Sequence, residues 1–86
     1  MALYSILWKS AAERDLRRLD RSIIPRILEP IEALANNPFP LQCRKIVGSE
    51  SIYRIRVGDY RVIYQVDDEV KTVIVYHVRH RKEAYR

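Results

Sequence analysis

The 86-residue sequence predicts an α+β fold, with two N-terminal helices packed on one face of a curved, mostly antiparallel sheet in the order β-α-α-β-β-β. Three observations predict it. An apolar stripe of helical spacing runs from Ile24 to Ala35, residues 52–57 and 60–66 alternate as two strands around Gly58-Asp59, and a long apolar strand follows at 70–78. One domain over 1–86 is expected, because a chain this short buries only roughly 60% of its unfolded surface, around one small core.

"LYSILW", residues 3–8, is apolar, aromatic and too short for a helix, and reads as the first strand. Ser10 followed by Glu13 has the spacing of a capping box and opens a helix through about Leu19. Asp20 or Ser22 then caps a second helix to about Asn36, with Ile24, Ile27, Leu28, Ile31, Leu34 and Ala35 on one face. Pro25 suits its first turn. Pro30 removes an internal hydrogen bond and should kink the axis, but the stripe continues across it and "NNPFP" supplies the stop. "RKI" is a short or edge strand, and Asp67 to Glu69 turn the chain into the last strand.

A two-residue loop at Gly58-Asp59 sets Val57 opposite Tyr60, Arg56 opposite Arg61 and Arg54 opposite Ile63. Tyr53, Ile55 and Val57 then share a face with Tyr60, Val62, Tyr64 and Val66, the face the helices should cover. Arg54, Arg56 and Arg61 line the other, open face. Like charges directly across a strand pair are destabilising, so this cluster is explained by an anion that sits between them. Whether Arg79 and Arg81 join Arg61 depends on the turn at 67–69: a three-residue loop brings odd-numbered residues of the last strand beside Arg61, and a two-residue loop brings even-numbered ones. Both registers are open.

The composition is that of a globular protein, 48% hydrophobic and 31% charged, and the net charge of +5 favours a polyanionic partner such as nucleic acid or an acidic protein. A single Cys43 excludes an intramolecular disulfide, and one cysteine with two histidines gives no zinc-ligand spacing; Cys43 reads as a small, half-buried residue. No stretch reaches the 18 or more apolar residues of a membrane span, and the N-terminus lacks a basic leading segment and a small-residue cleavage site. A cytoplasmic protein without membrane contact, metal or cofactor is expected.

The ending "HVRHRKEAYR" places His77, Arg79, His80, Arg81, Lys82, Tyr85 and Arg86 in ten residues. Two basic clusters beside groups able to move protons suit an anion at a reacting bond. RNA carries its own nucleophile, the 2′-hydroxyl, so a protein need only remove that proton, stabilise the phosphorane and protonate the departing 5′-oxygen. A tyrosine with an ordinary pKa near 10 is about one-thousandth ionised at pH 7, a penalty of roughly 4 kcal/mol, which surrounding arginines reduce. Arginine is a poor proton donor, and His80, or else His77, is chemically better suited to the leaving group. Trp8, Tyr53, Tyr60 and Tyr64 read as packing residues, "DDE" at 67–69 as a solvated turn, and Arg14, Arg17, Arg18 and Arg21 as a wet helix face or a set of RNA phosphate contacts.

"RKIVGSESIYRIRVGDYRVIYQV" followed by "VRHRKEAY" resembles the RelE branch of the RelE/ParE toxin superfamily, over nearly the whole chain. The resemblance implies a RelE-like, microbial-ribonuclease-type fold. It implies a metal-free endoribonuclease that cuts messenger RNA in the ribosomal A site, is held inactive by a cognate antitoxin, and forms a complex that binds its operator DNA. The family's two strand lysines fall on Arg54 and Arg56, its hairpin arginine on Arg61, its C-terminal arginine on Arg81 and its tyrosine on Tyr85. Arginine at the first two positions keeps charge and phosphate contact but cannot give up a proton. The catalytic candidates are therefore Arg61, Arg81, Tyr85 and His80, and the phosphate-binding candidates Lys45, Arg54, Arg56, Arg79 and Lys82. The alternative within the superfamily is a ParE-like, non-catalytic inhibitor of DNA gyrase.

Overall fold

The computed structural model describes residues 3–81. The chain runs β1 (Ser5–Trp8), α1 (Ser10–Arg17), α2 (Ile24–Ala33), β2 (Arg44–Lys45), β3 (Ile52–Val57), β4 (Tyr60–Asp67) and β5 (Thr72–His80). The five strands form one sheet in the order β1-β5-β4-β3-β2, parallel at β1–β5 and antiparallel elsewhere. "RKI" is thus realised as the two-residue edge strand β2.

β1 leads directly into α1: Lys9 is the N-cap residue, and its N–H donates to Val75 O at 3.0 Å, continuing the β1–β5 ladder. The chain therefore enters the helix one residue before Ser10, and the capping box at Ser10 and Glu13 does not form. α1 ends at Arg17, with Leu19 N–H turning back onto Leu16 O. At the start of α2 the backbone carbonyl of Asp20, not a side chain, accepts from Ile23 N–H and Ile24 N–H. Pro30 lies inside α2 without ending it. Ile27, Ile31 and Leu34 stay buried on either side of it, so the apolar stripe is worth more than the one hydrogen bond that proline removes.

Those three residues meet Ile55, Val62, Tyr64, Val66, Val73, Val75 and Val78 in the core, the face assigned to the helices from strand alternation. Tyr53 stacks on Tyr64 with centroids 6.0 Å apart, and Phe39 meets Tyr53 edge-on. Trp8 packs half-buried against the same core, and Cys43 is half-buried. The fully buried Tyr64 donates its hydroxyl to Pro38 O at 2.7 Å, and burial, followed by the neighbouring Cys43 thiol, pushes the phenol well above the usual tyrosine range. Among the described residues no helix is long and apolar enough to cross a membrane.

The β4–β5 turn is longer than the 67–69 expected. Asp67 remains in β4 opposite Thr72, its Oδ1 accepts from Glu69 and Val70 N–H, and Lys71 takes a left-handed φ of 49°. β5 consequently begins at Thr72 and runs to His80 instead of covering 70–78.

Candidate active site

The β3–β4 hairpin turns on Gly58, whose φ of 59° is the left-handed value that glycine supplies at the first position of a two-residue type II′ turn. The register follows: Val57 faces Tyr60, Arg56 faces Arg61 and Arg54 faces Ile63, as the sequence required. Arg54 and Arg56 are exposed, whereas Arg61 is only 8% exposed and is the one buried charged residue among those described. Its guanidinium stands directly across the strand pair from that of Arg56, and like charges so placed are destabilising.

β5 supplies the next arginine through an irregularity. From Asp67↔Thr72 to Tyr64↔Val75 the pairing is uniform; at the bulge it shifts, and Ile63↔His77, Val62↔Val78, Arg61↔Arg79 and Tyr60↔His80 follow. Tyr76 is the additional residue. Without the shift Val78 would stand opposite Arg61, because the four-residue turn at 68–71 fixes that register. The bulge lets Val73, Val75 and Val78 all face the core despite their mixed parity, and it carries Arg79 to the arginine face. Tyr76 donates its hydroxyl to Gln65 Oε1 at 2.7 Å on that same side.

Past Val75, β1 no longer covers the edge of β5, and Asp15 from α1 takes over. Its Oδ2 accepts from Val78 N–H at 3.1 Å, approaches His77 Nδ1 at 3.3 Å and forms an ion pair with Arg79 Nε at 3.4 Å, without hydrogen-bond geometry in the last case. Arg79 Nη2 also lies 3.1 Å from His77 Nδ1. One ring nitrogen cannot donate to Asp15 and accept from Arg79 at once, so the His77 tautomer selects which neighbour it bonds. Asp15 carried no signal in the sequence beyond being an acid among the α1 arginines.

The arginines form a cleft of about 280 Å³ lined by Gln42, Arg44, Arg54, Arg56 and Arg61. Lys45 is not part of it. Arg44 pairs with Arg54 and Lys45 with Tyr53, so Lys45 lies on the helix side of the sheet and Arg44 takes the place expected of it. His80, read as a leaving-group acid, also falls on the helix side: its ring meets Tyr60 edge-on at 5.3 Å, one residue out of phase with Arg79. His77, not His80, shares the face of Arg61. Arg81 N–H donates to Asp59 O at 2.7 Å, which ties the start of the C-terminal segment to the tip of the β3–β4 hairpin. Lys82 and Tyr85 lie outside the described residues.

Residues 6–85 match the family described as the ParE toxin of the type II toxin-antitoxin system parDE. The chain belongs to the RelE/ParE toxin superfamily. Within it, this toxin is similar to toxin RelG of Mycobacterium tuberculosis, with 34% identity covering 96% of this chain and 97% of that one. In structure it is similar to the toxin of the archaeal RelE-RelB complex from Pyrococcus horikoshii OT3, with TM-score 0.81, 28% identity, and 92% and 96% of the two chains covered. The RelB-RelE antitoxin-toxin complex from Methanococcus jannaschii gives TM-score 0.75 at 35% identity, covering 92% of this toxin and 94% of that chain. The protein is thus a type II toxin of the RelBE kind, and its α+β fold is that of RelE toxins.

Proposed function

We propose that this toxin is a ribosome-dependent endoribonuclease that cleaves messenger RNA in the A site by attack of a 2′-hydroxyl on the adjacent phosphodiester. The observation that carries the proposal is the row Arg56–Arg61–Arg79 across β3, β4 and β5. Three guanidinium groups aligned on one face, one of them buried, favour a dianionic phosphorane over the singly charged ground state, the differential binding that accelerates a reaction. In this reading Arg61 and Arg79 bear on the scissile phosphate, Arg54 and Arg56 on its approach, Tyr85 removes the 2′-hydroxyl proton and Arg81 donates to the departing oxygen. RNA brings the nucleophile, so the scheme is written without a metal. His77 takes over from His80 as the histidine facing this chemistry.

The antitoxin partner rests on the relatives solved as RelE–RelB complexes. An acidic or amphipathic antitoxin that covers the arginine face would hold the toxin inactive, and binding of the pair to operator DNA is part of the same proposal. The ParE description of the family match supports a second reading, in which the same surface binds DNA gyrase without catalysis.

The test adds purified toxin to a reconstituted translation reaction and maps 5′ ends on a translated message beside an untranslated copy. Cuts at fixed codon positions only in the translated message are expected, with loss of cutting in a folded Tyr85→Phe variant. An intact message would transfer the assignment to gyrase inhibition.

A further inference from the structure

In the proposed reaction one phosphate at Arg61 would engage only the Arg56–Arg61 half of the arginine cleft. The other half is built by Arg44 and Arg54, which face each other across β2 and β3 as Arg56 and Arg61 do across β3 and β4. Both pairs line the same 280 Å³ cleft, with Gln42 at the β2 end. We propose that Arg44 and Arg54 form a second phosphate subsite, so that the cleft holds two consecutive phosphates of a single RNA strand; this deepens the nuclease reading and rests on it.

The spacing supports this. Arg54 and Arg56 lie on one face of β3, two residues and therefore about 6.6 Å apart, close to the separation of consecutive phosphates in an extended strand. The two pairs are set one step along the strand, and an RNA backbone running beside β3 meets them in turn. Arg44 is also held ready: its Nη1 donates to Leu41 O at 3.1 Å and Cys43 O at 2.9 Å. Its Nε and Nη2 make no hydrogen bond among the described residues, so the two backbone bonds orient the guanidinium while leaving it donors for a ligand in the cleft it lines. A β2 of two exposed, basic residues adds little to the core, and its effect is to bring this side chain into register with Arg54. Gln42, which can both donate and accept, suits a sugar hydroxyl or base edge beside that phosphate.

The experiment is an NMR titration of the toxin with two 2′-deoxy oligonucleotides lacking terminal phosphates, a dinucleotide with one phosphate and a trinucleotide with two. The wild-type toxin should bind the trinucleotide more tightly. Arg44→Ala should lose about fivefold on the trinucleotide and no more than about twofold on the dinucleotide, whose single phosphate still has the Arg56–Arg61 site. It should also lower the slope of log affinity against log salt by about 0.7, the value for one single-strand phosphate contact. Lys45→Ala, on the same strand but the opposite face, should keep the wild-type difference. Equal affinities for the two ligands in the wild type, or an unchanged difference in Arg44→Ala, overturns the subsite. So does an Arg44→Ala variant that weakens only an antitoxin complex, which would make this half of the cleft a protein contact. The outcomes separate from the nuclease reading: an Arg44-dependent second-phosphate gain with an uncut message retains the subsite and removes the catalysis, and the converse does the opposite.

Discussion

Arg61 on β4 and Arg79 on β5 are direct cross-strand partners, and Arg56 on β3 faces Arg61 from the other side. Like charges in such positions oppose folding, an effect that Asp15 offsets at Arg79 and that a bound anion relieves further along the row. Arg56→Gln is therefore expected to raise stability at low salt by about 0.2–1 kcal/mol in urea denaturation. The gain should shrink toward zero at 1 M salt, where the screening length is about 3 Å. The same variant should lose cleavage about tenfold or more, since a charge-assisted phosphate contact is gone. A destabilised Arg56→Gln at low salt would show that the row is stabilised within the free protein.

Asp15 replaces the missing neighbour strand at Val78 and holds Arg79 in place. Asp15→Ala should cost about 2 kcal/mol, because it removes a charged acceptor from a partly buried N–H. Asp15→Asn, which keeps an acceptor oxygen, should cost less. Hydrogen exchange at the Val78 amide checks the cause directly: it should accelerate in the alanine variant well before the amides of Val62 and Tyr64 do.

The histidines should separate by face. His80 lies against Tyr60 on the helix side, and His80→Gln is expected to retain cleavage within about threefold, as for a residue outside the proton-transfer path. His77→Gln, which alters a group between Asp15 and Arg79, should reduce it further. Single-turnover cleavage of a translated message measures both, and a His80→Gln defect larger than that of His77→Gln would reverse the assignment.

Tyr64 donates its hydroxyl to Pro38 O from full burial, and its phenol is held above the usual range. Tyr64→Phe leaves that carbonyl without its donor and should cost about 1–2 kcal/mol at neutral pH. A raised folded-state pKa means that the contribution is fully present below the unfolded value of about 10 and is lost as pH rises beyond it. Denaturation midpoints taken from pH 8 to 11 should fall less steeply in Tyr64→Phe than in the wild type.

Much of the fold was legible because its determinants are local. Gly58-Asp59 fixes the β3–β4 register within two residues, alternation then assigns Tyr60, Val62, Tyr64 and Val66 to the core, and the stripe through Ile27 and Ile31 carries the helix past Pro30. Arg54, Arg56 and Arg61 were placed on one face by the same arithmetic. What the sequence left open depends on contacts between distant segments. The register of β5 is the sum of a four-residue turn and a bulge at Tyr76, which neither turn chemistry nor periodicity counts in advance. A one-residue difference in phase separates Arg44 from Lys45 and Arg79 from His80, and only pairing with β3 and β4 decides it. Asp15 meets Val78 across 63 positions of sequence because α1 packs on β5, and no local pattern specifies that encounter. The sequence by itself determined the chemistry available, arginines on a strand pair and a basic ending. Tertiary structure decided which of those groups stand together, because a strand's facing alternates with every residue while its register is set from outside it.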